Sequence, residues 1–450
     1  MVTSHFPDQS AQANEASKWD SLVGGWSFAQ RVGFRFVFSF LVLCVFPFPF
    51  STSPASIIPT TFWDRMWFAA AQWLGRHVFH SAPTPERLAN FLLADTNAGY
   101  IALLCFAVLA AVTTVVWTLV DRKRTDYRTL QECLRIYVRY ALGFTMLAYG
   151  MDKVLALQFS WSLPGPERLA EPLGNYSPFA LLWTFMAYST AYTIFAGLGE
   201  VIGGVLLLFR RTTTLGALIV CGMMANVVAL NFSYGVPVKI FSSELLLLAI
   251  FLVAPETKRL LSVFVLNRPA AAMNLGGPWR EDWMAKPRMV VNAAIVIFAL
   301  YWFSGPFLKP NRVRANPEKS PLYGLFQVES FTQDGMPVTQ SDKNWRRVIF
   351  EGKDYFTVLT MDDSRRYYGT EYDTSKNSVT ISGANDPDSD SDSGEWKNGF
   401  LYSQPDATHL ELRGNLKTSP VVIELLKVDI SKLTLPSRGF HWIEDGGYYQ

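Results

Sequence analysis

The amino-acid sequence predicts a bundle of membrane-spanning α-helices followed by a small antiparallel β domain. Half of the 450 residues are hydrophobic and 14% are aromatic, a composition that excludes a disordered chain. The charges are unevenly distributed, since residues 1–320 hold 27 Lys and Arg against 18 Asp and Glu, whereas residues 321–450 hold 13 against 20. Because the long uncharged apolar stretches all lie in the basic part, the chain divides into a membrane region and an acidic soluble domain.

This pattern divides the chain into four parts. Residues 1–30 form a polar tail that lacks the basic start and apolar core of a secretory signal. A transmembrane helical domain follows over residues 31–306, and a linker rich in Pro, Lys and Arg covers residues 307–320. The soluble β domain is predicted over residues 321–450.

Seven apolar stretches approach the ~20 residues that a helix needs to cross the hydrocarbon core of a bilayer. Two of these stretches are weaker than the rest. The first is interrupted by Pro47 and Pro49, and the sixth is short. About seven spans are therefore predicted, over residues 33–50, 99–120, 137–157, 188–209, 213–232, 239–255 and 289–306.

The basic residues between the spans predict an orientation, because Lys and Arg concentrate in short cytoplasmic loops. Basic residues cluster between the second and third spans, between the fourth and fifth, and after the sixth. We therefore expect a cytoplasmic N-terminus and an extracytoplasmic C-terminal domain. Lys309, Arg312 and Arg314, which follow the last span, oppose this arrangement.

A further segment, residues 62–80, places several tryptophans among polar residues, which is typical of a helix in the membrane interface. A packed soluble helix is the alternative. His77 and His80 stand three residues apart and could present two metal ligands on one face, but without nearby Asp, Glu or Cys they predict no metal site. Four cysteines without a CxxC motif do not support a thiol pair, a zinc ribbon or a c-type haem.

After the linker, short segments alternate in polarity or are β-branched, and Gly, Asp and Asn separate them. A small antiparallel barrel or sandwich is predicted. The acidic run over residues 385–394 indicates a flexible loop, with calcium binding as an alternative that lacks the EF-hand spacing. The predicted strands include residues 324–331, 345–350, 355–361, 378–382, 409–413 and 421–428.

Four of the predicted spans carry a polar or charged residue near mid-bilayer, where a charge costs about 2.5 to 3.5 kcal/mol. Counted at 1.5 Å per residue from the nearest charged helix end, these residues lie about 15 to 22 Å deep. They are Lys153, Glu200, Asn226 and Glu244.

Helical spacing predicts that Lys153 and Glu200 face each other. Steps of three and four residues place one stripe along the third span, formed by Arg139, Gly143, Met146, Gly150 and Lys153. The same steps place Gly197 and Gly204 beside Glu200 on the fourth, where small residues allow close helix approach. An ion pair that only sets the helix register is the alternative to a functional site.

Two glycine-containing segments surround Lys153 and Glu200. Residues 139–153 read RYALGFTMLAYGMDK, and residues 195–219 read FAGLGEVIGGVLLLFRRTTTLGALI. These segments resemble the DoxX-like family of integral membrane proteins. The family pattern is a basic residue opening a helix, a Gly-x-x-Lys near its far end, and then a Glu before paired glycines and a leucine run. The resemblance covers about residues 130–260, and the recurring family positions correspond to Arg139, Gly150, Lys153, Glu200, Gly203 and Gly204.

The resemblance implies a protein of the bacterial plasma (inner) membrane. Some members are associated with quinone-linked oxidation of sulfur compounds and others with the maturation of exported redox proteins. A quinone is therefore the cofactor or ligand that the resemblance suggests, and no bound cofactor is evident in the sequence. The extra spans and the β domain distinguish this chain from a bare DoxX-like protein.

Three functions are open, and so is whether the protein is an enzyme. The leading hypothesis is that it binds a small membrane-soluble molecule, such as a quinone, and exchanges protons with it. Glu200 would carry the proton and Lys153 would hold an anionic or carbonyl oxygen. The alternatives are a non-enzymatic scaffold that presents the β domain to an exported partner and a proton- or solute-coupled transporter.

The leading hypothesis also assigns supporting residues and partners. The expected partners are the lipid bilayer and a redox or exported protein, without nucleic acid. Residues that contact the bound molecule are predicted to be Arg139, Gly150, Asn226 and Glu244, and residues that pack the helices are predicted to be Gly143, Gly197, Gly203 and Gly204.

Overall fold

The computed structural model of the chain contains two compact units. The helical unit consists of residues 1–151 and 196–304, and the barrel unit consists of residues 152–195 and 305–450. The structure describes residues 25–48, 60–81, 92–155, 158–159, 164–270, 290, 294, 297, 318–338, 344–383, 396–416 and 418–437.

The described helices follow the apolar stretches of the sequence. Side-chain caps define several of their starts, as where Ser27 and Gln30 form a reciprocal capping box. In chain order the helices are α1 (Phe28–Val45), α2 (Thr60–His77), α3 (Asn97–Val120), α4 (Arg128–Val154), α5 (Pro166–Ala170), α6 (Pro178–Tyr188), α7 (Thr190–Leu208), α8 (Thr213–Ser233), α9 (Lys239–Val253), α10 (Thr257–Phe264) and α11 (Thr434–Ser437).

Five helical segments within the described residues are long and apolar enough to cross a membrane, and they indicate a membrane protein. They correspond to the first, second, fourth, fifth and sixth predicted spans. The third predicted span lies in α4, whose charged residues keep it outside this apolar class, and the seventh falls almost wholly outside the described residues. The count of seven stays a prediction. The five segments are Phe28–Val45, Asn97–Val120, Thr190–Leu208, Arg210–Ser233 and Lys239–Phe264.

Helix α4 belongs to the core of the helical unit despite its charges. Its buried residues Leu134, Val138, Leu142 and Met146 recur every four positions and therefore form one apolar stripe. This stripe packs in a single cluster with residues of α1, α7, α8 and α9.

Helix α2 contains most of the segment for which an interfacial and a packed helix were both open. One of its faces packs against α3, with Trp67, Phe68 and Ala71 buried in a cluster with residues of α3. Its other residues include Phe62 and Trp73, which are exposed. The helix is thus packed on one side and presents aromatic side chains on the other.

Two polar networks hold opposite ends of the helical bundle. At one end, buried Arg35 of α1 donates to the hydroxyl of Tyr127 at 2.7 Å and to the carbonyl of Asp121 at 2.9 Å. At the other end, Asp95 accepts from the backbone N–H groups of Lys239 and Ile240 and so caps α9. Asp95 also pairs with the Lys239 ammonium at 3.1 Å.

The barrel unit contains eight antiparallel strands that close on themselves. β1 pairs with β3, each later strand pairs with the next, and β9 returns to pair with β1; β2 only extends the edge of β1. Closure decides between the barrel and the sandwich that the sequence left open. The strands are β1 (Lys319–Gln333), β2 (Met336–Pro337), β3 (Trp345–Gly352), β4 (Tyr355–Thr360), β5 (Arg365–Asp373), β6 (Ser378–Gly383), β7 (Trp396–Ser403), β8 (His409–Leu416) and β9 (Ser419–Val428).

Apolar side chains fill the interior of the barrel. Val348 and Phe350 point inward, whereas Ile349 between them belongs to a different cluster, as the alternation of a strand requires. Phe356 stacks on Tyr368 with ring centroids 5.2 Å apart. The predicted acidic loop over residues 385–394 lies outside the described residues, as do most of the linker and residues 1–24 of the tail predicted over residues 1–30. The last three residues of that predicted tail belong to α1.

The short helix α5 covers an apolar patch on the outside of the barrel. Ala170 packs with Leu325, Ile349 and Leu359, which are the outward-facing residues of three neighbouring strands. The carboxylate of Glu351 accepts the backbone N–H of Glu167 at 3.0 Å and so caps the start of this helix. Burial raises the pKa of Glu351.

Charged side chains clamp α5 to the barrel. Arg365 of β5 pairs with Glu167 at 3.1 Å and with Glu171 at 2.7 Å. Arg347 of β3 donates to the carbonyl of Ala170 at 3.4 Å. The chain segment that joins α4 to α7 is therefore anchored on the barrel.

Candidate functional site

The candidate site lies along the contact between α4 and α7 in the helical unit. A Cβ atom on Gly150 would lie 2.8 Å from the carbonyl oxygen of Gly197, and one on Gly204 would lie 2.9 Å from the carbonyl oxygen of Gly143. These positions accept only glycine without a backbone shift, because real Cβ atoms do not approach so closely. The two antiparallel helices therefore touch through their backbones, as small residues in membrane helices allow.

A second glycine contact holds α7 against α8. A Cβ atom on Gly203 would lie 2.7 Å from the Val220 side chain, and one on Gly216 would lie 2.9 Å from the backbone nitrogen of Leu207. Helix α7 is thus packed closely on two sides, and its glycines line both contacts.

Glu200 lies in the middle of α7 between these glycines. Its side chain is only 2% exposed, and it interacts with another residue of the chain. A Cβ atom on Gly150 would meet the side chain and the backbone nitrogen of Val201, so Glu200, the residue before Val201, lies near the level of Gly150 on α4. It also stands about 15 Å of helix rise from Arg210, near mid-bilayer for a spanning helix.

The two basic candidate residues of α4 lie on either side of this level. Arg139 is 8% exposed, and its guanidinium stacks over the Tyr140 ring at 4.8 Å. Lys153 is 9% exposed in the last turn, three residues or about 4.5 Å of helix rise beyond Gly150, and it also interacts with another residue. The pairing of Lys153 with Glu200 stays a prediction.

The structure does not bring the two remaining polar candidates to this contact. Asn226 lies on the exposed side of α8. Glu244 is partly buried on α9, where its carboxylate hydrogen-bonds with the Cys44 thiol of α1.

Two buried polar groups were not singled out by the sequence pattern. Asn231 of α8 donates to the Ser242 hydroxyl of α9 at 3.0 Å, five residues from the asparagine that was predicted. Arg35 is 2% exposed, and its place inside the first predicted span was the signal that could have found it. Both are satisfied by neighbouring residues and hold helices together.

Part of the chain is similar in sequence to a known bacterial protein. The protein YwoB of Bacillus subtilis (strain 168), whose name describes it as uncharacterized, is 32% identical to this chain over 126 residues. The match covers 28% of this chain and 79% of YwoB. No family model and no solved structure matches the chain significantly. The DoxX-like resemblance therefore stays a prediction.

Proposed function

We propose, for a chain that belongs to the same family as the Bacillus subtilis protein YwoB, that the helical unit binds a small membrane-soluble molecule, such as a quinone, and exchanges protons with it at Glu200. The electrons for any quinone chemistry come from a redox partner, since two electrons and two protons convert a quinone to its quinol. The family assignment that goes with this proposal is DoxX-like.

The burial of Glu200 is the observation that carries the proposal. A carboxyl group in the middle of a membrane-spanning helix is costly, and such residues mark a ligand site or a proton pathway by default. The glycines around Glu200 bring two other helices against α7. A proton carrier needs a carboxyl group whose charge depends on what faces it, and Glu200 takes that role in the proposal.

Lys153 and Arg139 take supporting roles in the proposal. A buried ammonium is a compact charge that suits an anionic or carbonyl oxygen of the bound molecule. Lys153 follows Gly150 by one helical turn, and Gly150 contacts the backbone of α7. Arg139 begins the same stripe in the first half of α4 and adds positive charge there.

The proposed location is the inner membrane, with a cytoplasmic N-terminus and the barrel outside. Arg210 and Arg211, between α7 and α8, and Lys258 and Arg259, after α9, support this orientation, because antiparallel helices place both turns at one face.

Binding of menadione, a small quinone, to the full-length protein in nanodiscs tests the proposal. We expect Glu200→Gln to weaken binding about tenfold or more, and Glu244→Gln to leave it unchanged because Glu244 lies on a different helix pair. Equal affinities for all three proteins, measured by quenching of tryptophan fluorescence, would refute the proposal.

The same assay tests whether Lys153 and Glu200 act together. Lys153→Met, Glu200→Gln and the double variant form a double-mutant cycle, and residues that share one site give non-additive effects. We expect the double variant to bind menadione only slightly more weakly than the weaker-binding single variant does. Additive losses of affinity would show that the two residues do not share one site.

A scaffold that presents the barrel to an exported partner is the second candidate function. The barrel is closed, its interior is filled with apolar side chains, and ion pairs hold α5 on its surface. These features favour a scaffold, because they give the barrel a rigid surface of its own. In that case Glu200→Gln would leave quinone binding unaffected.

A further inference from the structure

Arginine side chains from three helix ends converge near the start of α4. Two belong to the first half of α4, one lies in the turn between α7 and α8, and one lies on α10. They are Arg135, Arg139, Arg210 and Arg259.

Two carboxylates form ion pairs with three of these arginines. Glu132 lies 3.3 Å from Arg135 and 4.0 Å from Arg210. Glu256 lies 3.9 Å from Arg135 and 3.3 Å from Arg259. Arg135 therefore shares each of its two carboxylates with another arginine.

Arg139 is the arginine that these carboxylates do not reach. It is 8% exposed, and its side chain hydrogen-bonds with that of Tyr140. Its Nε is nevertheless buried without a hydrogen-bond partner, and the ion pairs found among the described residues do not include it. The positive charges of Arg135 and Arg210 act on it as like charges. A buried charge in this position is costly unless an anion is paired with it.

We propose that this cluster binds an anionic phosphate group, as carried by the headgroup of phosphatidylglycerol, between Arg135, Arg139 and Arg210. A guanidinium presents paired donors that match phosphate oxygens. Basic pockets between membrane helices are a known form of lipid headgroup site.

The place of the cluster favours a lipid over a soluble anion. It lies at the ends of the apolar helices α7, α8 and α9, which is the level of the headgroups. Arg210 leaves the site open, since its side chain is 35% exposed. The phosphate enters past Arg210 and its acyl chains stay in the bilayer.

Lipid retention by the full-length protein in detergent tests this proposal. Native mass spectrometry and thermal unfolding would compare added dioleoylphosphatidylglycerol, dioleoylphosphatidylcholine and inorganic phosphate. We expect phosphatidylglycerol to be retained and to raise the melting temperature, and phosphatidylcholine to do neither because its choline neutralises the phosphate. An equal rise with inorganic phosphate would support the anion site with a soluble source.

Substitutions connect that effect to the cluster. We expect Arg139→Gln and Arg210→Gln each to reduce phosphatidylglycerol retention several-fold, and the partly exposed Arg210 tests the site even if Arg139→Gln does not fold. Arg211→Gln removes the same charge from the next, exposed residue and should retain the lipid as the wild type does. Equal retention of the two lipids, or equal losses in Arg211→Gln and Arg210→Gln, would overturn the proposal.

Discussion

Glycine at position 150 lets the backbones of α4 and α7 touch, and this contact sets the position of the helix that carries Glu200. The atoms that a Cβ would meet include the carbonyl oxygen of Gly197 and the backbone nitrogen of Val201. Backbone atoms of a packed helix cannot turn aside as a flexible side chain can. The geometry near Glu200 therefore depends on the absence of one methyl group.

We expect Gly150→Ala to destabilise the protein by about 1 to 3 kcal/mol, the usual cost of overpacking a close contact. Gly222→Ala is the matched control. Gly222 also lies inside an α-helix, but a Cβ atom added there would meet nothing within 4 Å. Thermal unfolding in detergent would measure both. A Gly150→Ala variant as stable as Gly222→Ala would contradict the contact.

The position of a polar residue along its helix could be predicted from the sequence more readily than the direction in which it points. Glu200 lies buried in mid-helix as helical counting indicated, because a one-residue step changes depth by only 1.5 Å. The same step turns a side chain by 100°, so Asn226 lies on the exposed side of α8 while Asn231 lies inside.

At the scale of elements, the docking of α5 on the barrel joins parts of the chain that are far apart in sequence. Arg365 lies between Glu167 and Glu171, and all three side chains are mostly buried. Removing the guanidinium would leave two carboxylates close together without a counter-charge.

We therefore expect Arg365→Ala to release α5, at a cost of about 1.5 to 3 kcal/mol for hydrogen bonds to charged groups. Hydrogen exchange should rise in residues 164–176 and stay unchanged in the strands that form the barrel core. Lys376→Ala, which removes an exposed ion pair with Asp373, is the control. Slow exchange in residues 164–176 of the Arg365→Ala variant would show that the clamp does not hold the helix.

Some helices and strands could be predicted from the sequence more completely than others. The long spans could be predicted because an uninterrupted apolar run of nearly bilayer length is typical of a membrane-crossing helix. The strands β5 and β7 were not among the segments singled out, since charges and glycines interrupt their alternation. Helix α5 has five residues and little periodicity, so its position depends on partners almost two hundred residues away.

At the scale of the molecule, barrel closure also lay beyond the sequence pattern. Alternating segments fit a barrel and a sandwich equally, and only the pairing of β9 with β1 distinguishes them. The span count stayed open for a related reason, because α4 packs an apolar stripe inside the bundle but carries charged residues as well, and so lacks the composition of a lipid-facing helix.

The orientation of the chain is a prediction at this scale. A fluorescent protein that folds only in the cytoplasm, fused after Gln450, should stay dark, whereas alkaline phosphatase fused at the same place should be active. The basic turns after α7 and α9 give the reason, since both lie at one end of the helices and Lys and Arg concentrate in cytoplasmic loops. Bright fluorescence with an inactive phosphatase would reverse the topology.

Infrared difference spectroscopy of the reconstituted protein tests the proton exchange at Glu200 most directly. Addition of menadione should change a carboxyl band of the wild-type protein, because the bound molecule alters the charge of the buried carboxyl group. We predict that this band is lost in Glu200→Gln and kept in Glu244→Gln. A menadione-induced carboxyl band that persists in Glu200→Gln, or binding of menadione without any carboxyl band in the wild type, would contradict the account.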